Sequence, residues 1–234
     1  MFLLTQFIGL FVIASNVVPG YLDSEISTTE QTSAGYYFFQ IITSFAMAIL
    51  LFALITKYKL VTFMRIWFLV VLVIALSISL TAILHLFGVT TYWIALLIAI
   101  PLGILKLFRP SVLIHNGTEL FIYPGLAAIF VQILSPLYII LLLILISIYD
   151  LWAVWHSGLM QKMAKFQMNE MKVFGGFFIP YLTKEIRNKI KLMKQKYKGK
   201  KTKGKGIKVP IALLGGGDIV FPIITAGVFM NYFQ

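Results

Sequence analysis

Leu213-Leu214-Gly215-Gly216-Gly217-Asp218-Ile219-Val220-Phe221 places a carboxylate after three glycines, inside an apolar segment that runs from about Val209 to Phe229. A segment of that length can cross a hydrocarbon core of about 30 Å. An ionised carboxylate at bilayer depth costs at least ~2.5 kcal/mol, so an intramembrane Asp marks a functional site and calls for a partner. The other acid set deep in an apolar segment is Asp150, in Leu141-Leu142-Leu143-Ile144-Leu145-Ile146-Ser147-Ile148-Tyr149-Asp150-Leu151-Trp152. Two carboxylates on neighbouring spans therefore organise the reading of the whole chain.

Apolar residues make up 60% of the 234 positions, and the mean hydropathy is +0.93. That composition fits a polytopic all-α membrane protein rather than a water-soluble domain. The chain has no Cys and only three His, which excludes disulfides and thiolate metal sites and leaves carboxylates as the titratable candidates. Neither a metal nor a cofactor is expected. The net charge of +12 would suggest nucleic acid in a soluble protein. Here fifteen of the twenty Lys and Arg lie between Lys162 and Lys208, so the charge belongs to one loop and no nucleic-acid partner is expected.

Hydropathy divides the chain into about seven spans: Phe2 to Pro19, Tyr36 to Ile55, Ile66 to Phe87, Tyr92 to Leu107, Glu119 to Leu134, Leu137 to Trp155, and the segment from Val209. The first is read as a span, not a cleaved signal peptide, because no charged region precedes it. The loop from Gly20 to Gly35 carries Asp23, Glu25 and Glu30 but no Lys or Arg, whereas Lys57, Lys59, Arg65, Lys106 and Arg109 flank later spans. The positive-inside rule then puts the N-terminus and the loop 156–208 in the cytoplasm, with anionic lipid head groups as neighbours of the basic loop. Asn116-Gly117-Thr118 matches a glycosylation acceptor but falls on the cytoplasmic side, where the pattern has no consequence. Residues 1–134 hold five spans, and 135–234 hold the two acids and the loop between them.

At 1.5 Å of rise per residue, Asp150 and Asp218 both lie roughly 8 to 14 Å below the cytoplasmic surface. Two carboxyl groups brought within a few ångströms share one proton, and their titration splits into two steps. One can then act as base toward water while the other acts as acid toward a carbonyl oxygen. Gly215, Gly216 and Gly217 disfavour helix by about 1 kcal/mol each, and irregular backbone at membrane depth survives where it lines a cavity. Within the loop, the apolar stretch Val173 to Ile179 reads as a strand or hairpin, Thr183 to Tyr197 as a basic helix, and Lys198 to Lys208 as Lys/Gly-rich slack. One or both of Val173 to Ile179 and Gly206 to Pro210 are expected to become ordered beside Asp218 as a strand edge only when a substrate arrives.

These residues resemble the presenilin and signal peptide peptidase family of intramembrane aspartyl proteases, whose signature is a Tyr-Asp pair in the sixth span and Gly-x-Gly-Asp in the seventh. Tyr149-Asp150 and Gly215-Gly216-Gly217-Asp218 match it. The resemblance implies that Asp150 and Asp218 are the catalytic pair, that Tyr149 packs or hydrogen-bonds beside them, and that Gly215 and Gly217 permit close backbone approach. It also implies transmembrane helical substrates, a multi-pass cell-membrane location and, with the long loop inside, the presenilin orientation. The modest length points to an archaeal relative. The family's ninth span carries Pro-Ala-Leu, and this chain stops before spans eight and nine; the expected alternatives are truncation, a second polypeptide, or an inactive homologue. Other functions weighed are an ion or proton-coupled transporter lined by Ser77, Ser79, Thr81 and Gln132, a type IV prepilin peptidase, and a structural membrane protein.

Overall fold

The computed structural model describes residues 1–17, 34–58, 61–108, 111–152, 175–180 and 211–233. They form α1 (Phe2–Ala14), α2 (Ala34–Tyr58), α3 (Val61–Leu86), α4 (Tyr92–Phe108), α5 (Val112–Ile133), α6 (Pro136–Trp152), β1 (Gly176–Pro180), β2 (Ile211–Gly215) and α7 (Gly217–Phe233). The chain is thus mostly helical, with a small antiparallel strand pair inserted before its seventh helix. Among the described residues, α3 is the one helix both long and apolar enough to cross a membrane by length and composition.

Polar and apolar side chains are distributed inside out relative to a soluble bundle. Large apolar groups such as Phe7, Trp67, Trp93 and Leu97 face outward, while Thr5, Ser77, Ser79 and Thr81 are buried. The buried hydroxyls give their protons to carbonyls: Thr5 to Met1, Ser77 to Ile74, Thr81 to Ser77, and Ser79 across to Phe121 on α5. An exterior of this kind suits acyl chains, and an interior of this kind holds helices together where lipid supplies no hydrophobic drive between them.

Small residues set how closely the helices pack. At Gly125 of α5 a Cβ would lie 1.9 Å from the Ala75 carbonyl oxygen of α3, so the two backbones touch where a side chain would stand. Gly9 of α1 takes Ile223 of α7 in the same manner, and Gly227 of α7 takes Ile13 and Val131. α5 is the hub, packed against α1, α3, α4, α7 and β1. One apolar core unites Ile13 of α1, Tyr123 and Ala127 of α5, Ile139 of α6, Phe177 of β1 and Ile223 of α7.

The strand pair runs in register from Gly176 opposite Gly215 to Pro180 opposite Ile211. Three expectations are corrected by it. The apolar run from Val209 is not one helix: Ile211 to Gly215 are strand, and α7 starts at Gly217, where Gly216 caps it by accepting the Val220 N–H at 2.9 Å. Glycines disfavour helix, and Ile211 to Leu214 gain a paired ladder instead. Second, Gly176 to Pro180 is already paired in the chain alone, without substrate. Third, the fifth helix begins at Val112, not near Glu119, because the Ser111 hydroxyl accepts the Ile114 N–H at 3.2 Å and caps it. The readings for Thr183 to Tyr197, Lys198 to Lys208 and Gly206 to Pro210 lie outside the described residues.

Gly125→Ala should force α3 and α5 apart, since the clash is with backbone and not with a side chain that can turn away. A destabilisation of about 1–3 kcal/mol is expected, read as a lowered thermal midpoint of the detergent-solubilised protein. Gly117→Ala, where a Cβ meets nothing within 4 Å, should leave that midpoint unchanged or raised.

Candidate active site

The turn that carries Asp218 is held between a strand and a helix. β2 delivers the chain to Gly215, and the first turn of α7 presents Asp218 as the helix's second residue. A Cβ on Gly215 would lie 3.2 Å from Asp218 Oδ2, and one on Gly216 would lie 2.9 Å from the Tyr123 hydroxyl of α5. Backbone therefore sits directly under the carboxylate and directly against the hub helix. A Cβ on Gly217 would make only ordinary contact, 3.7 Å from the Phe221 ring. Pro222 has no N–H, so the Asp218 carbonyl lacks the helical donor it would otherwise have from four residues on.

Asp150 reaches the same place from α6, which packs beside α7. It lies two residues before the described end of that helix, and its neighbour Tyr149 is half-buried with its ring centroid 6.4 Å from that of Trp152. Asp150 and Asp218 line one open cleft of about 850 Å³, together with Tyr149, Gly215, Gly217 and Thr225. Of the residues singled out from the sequence, Gly216 alone is absent from the cleft wall and instead packs on Tyr123. The two carboxylates are exposed to the cleft, the remaining walls being largely apolar side chains such as Leu143, Ile146 and Phe221. Such a cleft gives water access to both acids within a largely apolar surround.

A second group of polar residues escaped the sequence reading. Lys106 of α4 and Glu119 of α5 form a buried ion pair, each side chain almost wholly removed from solvent. Lys106 looks in the sequence like a charge at the cytoplasmic end of a span, but α5 starts early and closes over it; a basic residue does lie inside the bundle. His115 Nε2 bonds the Gly176 carbonyl at 2.7 Å, and its ring stacks on Phe178 with centroids 4.3 Å apart. Asn116 donates to the Phe178 carbonyl at 2.8 Å and accepts the Phe178 N–H at 2.9 Å. Glu119 Oε1 accepts the Gly176 N–H at 3.4 Å. The available signal was the spacing of His115, Asn116, Glu119 and Tyr123, which puts all four on one side of a helix.

No curated protein and no solved structure matches this chain. The family described as signal-peptide peptidase, presenilin aspartyl protease matches residues 1–233, and the protein belongs to that family of intramembrane aspartyl proteases.

Proposed function

We propose that this chain is an intramembrane aspartic endopeptidase that hydrolyses peptide bonds within transmembrane segments, with Asp150 and Asp218 as its catalytic pair. The observation that carries the reading is their convergence, from two packed helices, on one open cleft at the end of the strand pair. The reaction calls for one of the two carboxyls protonated and the other ionised. The ionised carboxylate takes a proton from water as the water oxygen attacks the scissile carbonyl carbon, and the protonated one donates to the carbonyl oxygen. As the gem-diol collapses, one of its hydroxyls gives its proton to the ionised carboxylate, the C–N bond breaks, and the amine leaves with the proton of the other carboxyl, so that the pair again holds one proton. No cofactor takes part.

The substrate enters as a helix and must unwind locally, since a transmembrane helix hides its carbonyls in its own hydrogen bonds. Extended substrate finds new partners on the outer edge of β2. Backbone groups of a strand point to alternate edges, and those of Gly176 and Phe178 turn toward α5. Leu213, opposite Phe178, therefore turns its own groups away from β1, on the edge that leads to Asp218. Seven spans, a cytoplasmic N-terminus and a cytoplasmic loop 156–208 against anionic head groups complete the reading, on the Lys and Arg distribution. Of the lining expected for a transporter, Ser77, Ser79 and Thr81 direct their hydroxyls to backbone carbonyls of α3 and α5, which favours the protease reading.

Asp150→Ala and Asp218→Ala should each lower turnover of a transmembrane reporter in liposomes more than a hundredfold, with the thermal midpoint retained, and the two Asn variants should behave alike. Turnover near that of the unaltered protein in either Ala variant sinks the proposal.

Leu213→Pro removes an outer-edge donor of β2 without removing a ladder bond to β1, so cleavage of a helical substrate should drop while the fold persists. Deleting Lys198 to Lys205 should be tolerated. If cleavage of the helical reporter survives Leu213→Pro, substrate does not extend that edge.

A further inference from the structure

Strand β1 has two edges and, among the described residues, one strand partner. Its other edge is filled by side chains. The N–H and C=O of Phe178 both go to the Asn116 amide, the C=O of Gly176 goes to His115, and the N–H of Gly176 goes to Glu119. Three residues of α5 thus do the work of a third strand, satisfying four backbone groups that water cannot reach in a buried setting. Lys106 fixes Glu119 from the neighbouring helix, and both are all but fully buried. A buried ion pair adds little net stability against an apolar replacement, but it does hold one geometry, because releasing either partner strands a buried charge.

The bonds at Gly176 lie directly across the ladder from Gly215, whose Cβ position is 3.2 Å from the Asp218 carboxylate. A shift of β1 along or away from α5 is therefore passed through one ladder rung to Asp218. We propose that Asn116, His115 and Glu119, with Lys106 behind them, form a latch that positions the strand pair and through it Asp218; they are positioning residues for the reaction, and this rests on the reading of Asp150 and Asp218 as the catalytic pair. None of the four lines the cleft. Their effect falls on the alignment of the two carboxylates, where a displacement of about 1 Å can cost on the order of a hundredfold in rate.

The test uses the full chain in liposomes, and its lack of cysteine makes placed thiols unambiguous. Asn116→Ala should lower kcat at least tenfold with KM changed less than about twofold. In the triple variant His115→Cys, Asn116→Ala, Phe178→Cys, a short reducible methanethiosulfonate linker should join α5 to β1 where the two rings now stack. Turnover should then rise at least fivefold and fall again on reduction, in the same molecules. Unchanged kcat in Asn116→Ala, failure of the linker to form, or a formed linker without recovery each overturns the latch. A separate arm needs no activity: in Asp150→Cys, Asp218→Cys protein, the yield of cross-link between the two thiols should drop at least threefold when Asn116→Ala is added. If the unaltered protein shows no cleavage dependent on Asp150 and Asp218, the protease reading fails, and this arm alone decides the latch, an unchanged yield overturning it.

Discussion

Backbone hydrogen bonding away from water is the constraint on which this architecture depends. Helices meet it by themselves, but the turn that carries Asp218 is not helical on its N-terminal side, and a lone strand at that place would leave both of its edges open. β1 closes one edge of β2, and the His115, Asn116 and Glu119 side chains close the outer edge of β1. The irregular backbone at the site is thus supported from the hub helix outward, where Gly215 and Gly216 depart from helix.

The same economy governs the contacts between helices. Ser79 bonds the Phe121 carbonyl, Gln6 donates to the Ile219 carbonyl at 3.0 Å, and glycine at 9, 125 and 227 brings the partners within reach. Apolar bulk is turned outward, so close approach and short polar bonds do inside the bundle what expulsion of water does in a soluble core. The conspicuous hydroxyls of α3 thus spend their protons on backbone carbonyls.

Much of this was legible because membrane chemistry penalises charge. Asp150 and Asp218 stand out against their apolar segments, and the two do line one cleft. The apolar stretch ending at Pro180 reads as a strand, and Gly176–Pro180 is one. Its partner was not legible, since pairing across a long basic loop leaves no mark in local periodicity, and Ile211 to Leu214 have the composition of a span. Lys106, His115, Asn116 and Glu119 were lost for a different reason. Averaged hydropathy reads a polar cluster between two apolar runs as a turn at the water interface, whereas Ser111 caps a helix there and Lys106 is only 5% exposed. Burial of a charge depends on a partner from another helix, and that information is not local.

The bond from Gln6 to Ile219 joins residues 213 positions apart, and Gly9 and Ile13 of α1 are filled by Ile223 and Gly227 of α7. α1, which packs chiefly on α5, thus gains its second main partner only when α7 has been made. Until α7 has been made, α5 has no turn to support and Asp150 has no opposing acid. Asp150 and Asp218 thus come to line one cleft only once synthesis has passed the last described helix.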